Sequence, residues 1–466
     1  MAEQAALCDI RRKSCNADRF SLPRWHSRMI TIDRERFIRL SEQGLRLSIL
    51  FTVFFIPISE SIKNIAFAFT LAMWALKMAG CRRFDMRIPT LGWFFFGLLG
   101  VSFMSAMRWD VLTFCGPLNV ARGIADVFMY TSLFLLIVNT LSLESQVWSA
   151  LLVSIVATGI GDVAGIYNYL LVPTTAVRLS IPGLSFTAAY LAMALVVMAA
   201  LLIHIQFDVR WRILIGGVMV LSVVALVFTH TRSMWLVTGL NLGILSAMRR
   251  IWRWPLALLV FFVVVAFVAM QSDILIRQRV ASLKTPWQDT SFLDRIPIWK
   301  SALRMTRDHP FLGVGPKCFK ASREKYHVPG SFSQAHNLFF SVAAELGGLG
   351  LLALLALIGA YAQFLVRVRR LLTSDLANAL WFACLGSFLV VLIGGILDPL
   401  FGHQVALFFS TLTGLLIVST DLAGRSGPSA LPDPCEVSGG GSRGTAAGCV
   451  RTGGVHCLSA QRRPTG

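Results

Sequence analysis

The 466-residue chain is 55% hydrophobic, has a mean hydropathy of +0.67 and carries only 14% charged residues. A soluble globular domain has about a quarter charged residues, so this composition excludes an ordinary soluble protein and indicates a polytopic membrane protein. The formal charge of +19 comes mostly from basic loops between apolar segments, and nucleic-acid binding is not needed to explain it.

Residues 1–45 are basic and lack the apolar core of a signal peptide, so they predict a cytoplasmic N-terminal region. Apolar runs that suit a hydrocarbon core of ~30 Å then recur along the chain. We expect about twelve transmembrane helices, nine within residues 46–271 and three within 336–420. Their predicted ranges are 46–59, 62–80, 90–107, 122–140, 147–172, 183–206, 213–230, 233–248, 255–271, 337–365, 377–397 and 403–420. Residues 421–466, rich in Gly, Ser, Pro and Arg, predict a disordered cytoplasmic tail.

The short loops between these segments set the orientation. Arginines concentrate in four loops that fall on one side of a twelve-helix topology. The positive-inside rule places that side, and both termini, in the cytoplasm. These arginines are Arg82, Arg83, Arg87, Arg210, Arg212, Arg249, Arg250, Arg253, Arg367, Arg369 and Arg370.

Residues 272–335 then form one large loop on the opposite face, and this loop is basic, with eleven Lys or Arg and five Asp or Glu. Membrane proteins usually keep Lys and Arg on the cytoplasmic side. A basic loop on the other side therefore indicates a site for an anionic substrate. An amphipathic helix that lies on anionic lipid would have the same composition and is the alternative.

Residues 229–235 predict a tight turn between the seventh and eighth segments, on the same face as the large loop. Arg232 would lie there at the depth of a lipid phosphate, where its guanidinium can bind two phosphate oxygens. An arginine that merely extends its charged end to water is the alternative interpretation. Arg122 and Arg178, at the outer ends of the fourth and sixth segments, are weaker candidates for the same anion.

Residues 292–303 predict a helix within the large loop. Arg295, Trp299 and Ala302 recur at helical spacing and should share one face. The helix should end near His309-Pro310, because proline is disfavoured inside a continuing helix. The glycine-containing run 311–316 then predicts a turn that brings the backbone close to another part of the protein.

His336 and Asn337 precede the tenth segment, also on the outer face. His336 is a candidate general base, because histidine titrates near neutrality. A lone histidine at a helix start is more often structural, and this is the alternative. If His336 is not the base, Asp398 at the outer end of segment eleven or His403 would be the next candidates.

Glu345 lies deeper in the tenth segment, on the opposite helix face from His336. A carboxylate at that depth normally pairs within the bundle, so we expect a structural role. The neighbouring Gly347, Gly348 and Gly350 would let another helix approach closely.

Of the nine cysteines, only Cys115 and Cys318 are assigned to the outer face. They could form a disulfide in an oxidising compartment or remain as two free thiols, and the sequence leaves both alternatives open.

Over about residues 45–420 the chain resembles the bacterial O-antigen ligases and, more distantly, the O-antigen polymerases and O-linked oligosaccharyltransferases. The resemblance lies in Thr-Arg-Ser-x-Trp at 231–235, in Arg-x-x-x-Trp-x-x-Ala and His-Pro-x-x-Gly-x-Gly within 295–315, and in His336-Asn337 followed by Glu-Leu-Gly-Gly-Leu-Gly at 345–350. Each motif is short, but their order within the predicted topology is fairly specific to this superfamily. Family sequences more often have glycine where this chain has Met234.

The resemblance implies an all-α membrane glycosyltransferase of the GT-C type, acting at the periplasmic face of the bacterial inner membrane. It would move O-antigen glycan from undecaprenyl pyrophosphate to a sugar hydroxyl of the lipid A–core acceptor, among membrane lipids. Arg232 and Arg295 would bind the donor's pyrophosphate and stabilise its developing charge. His336 would deprotonate the acceptor hydroxyl, with inversion. We expect no cofactor and no metal, because the outer face has no paired Asp/Glu motif that would suit magnesium.

Two alternatives to an O-antigen ligase remain. A polymerase or O-linked oligosaccharyltransferase of the same superfamily fits the same motifs. A secondary transporter fits less well, because no internal repeat is obvious and alternating access does not need a large basic loop.

Overall fold

The computed structural model describes a chain of helices joined by turns, with no β-strand among the described residues. The described residues are 24–81, 86–171, 187–249, 260–265, 267–268, 271, 277, 280, 293, 295–330, 332–398, 400 and 403–425. The helices are α1 (Arg24–Phe55), α2 (Glu60–Cys81), α3 (Thr90–Ala106), α4 (Trp109–Cys115), α5 (Pro117–Thr140), α6 (Glu144–Leu171), α7 (Thr187–His204), α8 (Val209–Phe228), α9 (Arg232–Arg249), α10 (Arg295–Asp308), α11 (Leu338–Val368), α12 (Asp375–Leu397) and α13 (His403–Arg425). Short 3-10 turns occupy Ala321–Arg323 and Arg369–Leu371.

Seven of the described helices are long and apolar enough to cross a membrane, and the bent pair of α3 and α4 would make an eighth span. The seven are α2, α5, α6, α8, α11, α12 and α13, while α7 is apolar but shorter. The all-helical prediction is therefore confirmed for the described residues, and a membrane protein is supported. Twelve crossings stay a prediction, since residues 255–259, 266, 269 and 270 of the predicted segment 255–271 lie outside the described residues.

Two predicted segments belong to longer helices than the sequence indicated. The first predicted segment, 46–59, overlaps the C-terminal part of α1, which already begins at Arg24. The last, 403–420, continues as α13 to Arg425. Most of the predicted tail lies outside the described residues.

The bundle is held by apolar contacts between helices that are distant in the chain, such as α7 with α12, α5 with α13 and α3 with α11. At one junction of α11, α12 and α13, the ring of Tyr361 lies 5.0 Å from that of Phe388 and 4.6 Å from that of Phe409. The Tyr361 hydroxyl hydrogen-bonds the Thr413 hydroxyl at 3.1 Å, so this buried polar atom has a partner.

Helix α11 is broken at Gly347, whose φ of 68° lies in the left-handed region. The backbone of residues 310–315 runs along this break: the Gly348 amide donates to the Pro310 carbonyl at 2.7 Å. A broken helix at membrane depth needs such protein partners, because lipid offers no hydrogen bonds. A Cβ at Gly347 would lie 2.4 Å from the Phe311 carbonyl carbon, so this approach requires glycine.

The predicted helix in the large loop is present as α10, and it ends at Asp308, just before His309-Pro310 as expected. It packs against α11 and buries Ile298, Ala302 and Met305. The expectation that the glycines of α11 admit another helix is wrong at Gly347 and Gly348, whose close neighbours are backbone atoms of the turn at 310–312. A helix interior has no free amides or carbonyls with which to pair the broken turn.

Cys115, at the end of α4, forms a disulfide with Cys318, with a Cα–Cα distance of 5.5 Å. The sequence left this pairing open, and the structure contains it. The bond joins positions 203 residues apart in the chain. It therefore fixes the turn that follows residues 310–315 to the short helix α4.

Replacing both Cys115 and Cys318 by serine should lower the thermal unfolding midpoint of the purified protein. Removing a native disulfide typically costs about 2–4 kcal/mol, because the unfolded chain becomes less constrained. The midpoint can be measured in detergent, with Cys81→Ser as the control because Cys81 is a free thiol. An equal midpoint for the double variant and wild type would contradict a stabilising role.

Candidate functional site

Arg232 is the first residue of α9, directly after the turn that ends α8. His230 in this turn adopts a left-handed φ of 55°, which reverses the chain within three residues. Trp235 holds the turn by donating from its indole Nε1 to the Leu226 carbonyl at 2.8 Å. The predicted turn is confirmed, and it places Arg232 at the positive end of a helix dipole.

Arg295 is the first residue of α10, and its side chain is 22% exposed. Its Nη2 lies 3.7 Å from Oδ1 of Asp398. Trp299, one turn later, packs its ring 5.7 Å from that of Phe340 on α11. The packing of α10 on α11 therefore brings Arg295 to the start of α11, although the two are distant in the chain.

His336 lies in the turn that precedes α11 and has a left-handed φ of 48°, which is uncommon for a residue with a Cβ. Its Nδ1 is buried, forms no hydrogen bond with a described residue and lies 3.6 Å from Oδ1 of Asp398. The side chain is nevertheless 33% exposed. The open part of the ring is therefore on the side away from Nδ1.

Asp398 follows the last residue of α12 in extended conformation, and its amide donates to the Gly394 carbonyl at 2.8 Å. Its Oδ2 accepts a hydrogen bond of 3.0 Å from the Ser233 hydroxyl, while Oδ1 faces Arg295 and His336. We call Ser233, Arg295, His336 and Asp398 the Asp398 cluster. It joins residues from three separate parts of the sequence to one carboxylate.

Positive charge at the cluster comes from helix starts and from arginine side chains. Helices α9, α10 and α11 all begin at it, and a helix start carries a partial positive charge and free amides. Arg295 lies in the cluster, and Arg232 adjoins it through Ser233. Against these stands the carboxylate of Asp398. Arg232 and Arg295 are each the first residue of a helix, and a guanidinium group at a helix start suits an anion with several oxygens, such as a phosphate group.

Glu345 supports the site from a distance. Its carbonyl accepts from the Gly315 amide at 2.9 Å, and its Oε2 accepts from the Lys317 amide at 3.1 Å. The Lys317 ammonium in turn pairs with Asp126 on α5. Glu345 therefore holds the turn after residues 310–315, in agreement with the structural role expected for it.

His309 holds the other side of the same turn. Arg108 donates from Nη1 to the Gly313 carbonyl at 2.7 Å, and its Nη2 lies 3.3 Å from His309 Nδ1. Burial, and then the charge of Arg108, lower the pKa of His309 below its usual range. The ring is therefore neutral near pH 7 and can accept a hydrogen bond from Arg108.

The sequence-predicted residues divide into those that meet and those that do not. Arg295 and His336 meet at Asp398, and Arg232 is the chain neighbour of Ser233, which donates to the same carboxylate. Arg122 is an exposed residue of α5 that forms no hydrogen bond or ion pair with another described residue. Arg178 and the side chain of His403 lie outside what the structure describes.

Sequence reasoning underestimated Asp398 and missed Ser233. A signal for Asp398 was present: it is an acid at the C-terminal end of an apolar helix, where the helix dipole disfavours a negative charge. Such a residue needs a cationic or hydrogen-bonding partner. The sequence did not indicate that these partners would be Ser233, Arg295 and His336, which lie on other helices or at their starts.

The apolar helices support a helical membrane protein, and the Asp398 cluster gives it a candidate site that contains a histidine, an arginine and a carboxylate. Residues 217–355 match the family model described as O-antigen ligase. The match covers Ser233, Arg295 and His336 but ends before Asp398. It supports membership of the chain in the O-antigen ligase superfamily, whose members are glycosyltransferase-like enzymes of O-antigen processing. A search of curated proteins found no match.

In the transfer reaction proposed below, Asp398→Asn should reduce the rate about 10–150-fold, because it removes the charge that faces Arg295 and His336 but keeps the side-chain shape. This range corresponds to about 1.5–3 kcal/mol for a charge-assisted contact. Initial transfer rates of purified protein give the measurement. Asp375→Asn, at the opposite end of α12, is the control for loss of one carboxylate. Equal rates for the two variants would remove Asp398 from the site.

Proposed function

We propose that the chain is an O-antigen ligase with a GT-C-type fold, inverting and metal-independent. It moves O-antigen glycan from undecaprenyl pyrophosphate to a sugar hydroxyl of the lipid A–core acceptor at the periplasmic face of the inner membrane. The observation that carries this proposal is the Asp398 cluster, which brings residues of the family-matched segment together. The Cys115–Cys318 disulfide supports an oxidising compartment for this part of the loop.

The donor would bind through its pyrophosphate. Negative charge grows on this leaving group as its bond to the sugar breaks, and groups aimed at that charge lower the barrier. Arg232 and Arg295 suit this task, because guanidinium stays charged and can bind two phosphate oxygens at once. Arg295 forms no hydrogen bond with another described residue, so its donors are available for such a contact.

His336 would act as the base on the acceptor. The acceptor hydroxyl gives its proton to Nε2, its oxygen attacks the anomeric carbon of the donor sugar, and the electron pair of the breaking C–O bond leaves with the pyrophosphate. Nδ1, on the other side of the ring, faces Asp398 at 3.6 Å. Catalytic hydrogen bonds are often long without substrate and shorten when it binds, so this contact can orient the ring.

A polymerase or O-linked oligosaccharyltransferase of the superfamily is the second candidate function. Its donor chemistry would be the same, and the residues of the cluster serve either acceptor. A secondary transporter is a more distant alternative, and a histidine beside a carboxylate at a helix start does not by itself favour it.

The decisive experiment incubates purified protein with undecaprenyl-pyrophosphate-linked glycan and one of two acceptors. Transfer to lipopolysaccharide that lacks O-antigen supports a ligase, whereas elongation of a second lipid-linked glycan supports a polymerase. No transfer to either acceptor would contradict the proposal. Activity should persist in EDTA; loss that magnesium or manganese restores would contradict the metal-free mechanism.

Arg232→Ala and Arg295→Ala should each reduce transfer about 10–150-fold, since a charge-assisted phosphate contact is worth roughly 1.5–3 kcal/mol. Lysine at either position should restore only part of the rate, because it lacks the planar fork. The comparison is Arg307→Ala, an exposed arginine at the other end of α10. Near wild-type rates for both alanine variants would leave these arginines as interfacial anchors.

His336→Ala should lower turnover by roughly 10²–10⁴-fold, the usual range for loss of a general base, with little change in donor binding. His336→Asn should be nearly as inactive, although asparagine tolerates the left-handed backbone. The control is His327→Asn, because His327 has a similar φ of 52° and is exposed. A folded His336→Asn protein with substantial transfer would direct the search for the base to Asp398 or His403.

A further inference from the structure

We propose that Asn337 is a positioning residue for the transfer reaction, because its side chain ties the start of α11 to the end of α12. Asn337 directly follows His336, and Ile396, to which its side chain bonds, lies two residues before Asp398. The bond therefore links the backbone beside the two groups that face each other. This inference rests on the proposed function of the Asp398 cluster.

The Asn337 side chain makes two hydrogen bonds in opposite directions. Its Oδ1 accepts from the Phe340 amide at 3.0 Å, which caps the first turn of α11. Its Nδ2 donates to the Ile396 carbonyl at 2.8 Å, one of the last carbonyls of α12. Asn337 is only 6% exposed, so water competes weakly for either bond.

The tie matters because the backbone beside it is strained. A residue with a Cβ rarely adopts a φ of 48°, and such a backbone persists only when its surroundings enforce it. Around His336, the Ala335 amide donates to the Ser341 hydroxyl at 3.2 Å, and the Ser341 amide donates to the Asn337 carbonyl at 2.9 Å. These bonds lie within the start of α11, whereas the bond to Ile396 reaches the helix that carries Asp398.

Only an amide side chain of this length performs both functions. Aspartate and serine cap a helix start about as well as asparagine. Aspartate cannot donate to the Ile396 carbonyl and would place a second negative charge near Asp398. Serine accepts from the Phe340 amide but is too short to reach α12. Replacement by serine therefore separates the cap from the tie.

The test compares Asn337→Ser with Ser374→Ala in the full-length protein. Ser374 caps the opposite end of α12 by accepting from the Ala377 amide at 3.1 Å, so its loss removes a similar cap far from Asp398. Asn337→Ser should lower kcat roughly 10–100-fold, the order expected when a reacting group is misplaced by about 1 Å. KM for the lipid-linked donor should stay within about twofold, and Ser374→Ala should keep the wild-type kcat.

A wild-type kcat for Asn337→Ser would overturn the proposal. So would a loss that Ser374→Ala shares in proportion to its unfolding midpoint, because that pattern describes a helix cap alone. Asn337→Asp should be no better than Asn337→Ser; full activity in the aspartate variant would show that the donated bond is dispensable.

Amide hydrogen exchange tests the tie without any transfer assay. The Asp398 and Leu400 amides, bonded at 2.8 and 2.9 Å, should exchange faster in Asn337→Ser than in wild type or Ser374→Ala. Unchanged exchange would overturn the tie even if transfer is lost. Faster exchange in a protein with no transfer activity would support the tie while contradicting the proposed function.

Discussion

The pairing between residues 310–315 and the break in α11 is the constraint on which the site depends. A helix that stops hydrogen-bonding at Gly347 leaves free amides and carbonyls, and in lipid these must be satisfied by protein. The segment that satisfies them follows α10 directly. The hydrogen bonds that satisfy the break in α11 therefore also hold α10 against α11. Since α10 and the first part of α11 then lie side by side, Arg295 at one helix start comes to His336 at the other.

The charges at and beside the Asp398 cluster have the opposite sign to those usually found at helix ends. Arg232 and Arg295 place positive charges at helix starts, and Asp398 places a negative charge at a helix end, so all three are on the unfavourable side of a helix dipole. Departures of this kind persist where function requires them. The left-handed backbone of His336 is a fourth departure at the same place. Their coincidence is stronger support for a functional site than any one of the motifs.

Much of the fold was readable from the sequence because it depends on local signals. Apolar length predicted most of the described helices, the proline after His309 predicted the end of α10, and Thr229–His230 predicted a turn. Glycines predicted a close approach at Gly347, but not that a turn following α10 makes it, because a glycine in the sequence indicates room for a neighbour and does not identify that neighbour. Asp398 and the bond from Asn337 to Ile396 depend on tertiary contacts between distant segments. Cys115 and Cys318 are a similar case, since composition cannot pair two thiols.

The two ends of α10 are held by different numbers of contacts, and this difference affects how the site could bind an anion. Its C-terminal end is followed by backbone hydrogen bonds to α11, the contacts of Arg108 and the disulfide at Cys318. Its first residue, Arg295, meets Asp398 only at 3.7 Å, beyond a hydrogen bond. The C-terminal end of α10 is therefore held firmly, while Asp398 attracts the Arg295 guanidinium at the other end without occupying its hydrogen-bond donors. A bound pyrophosphate would find the charge in place and its donors still available, which is the condition for stabilising charge that develops during a reaction.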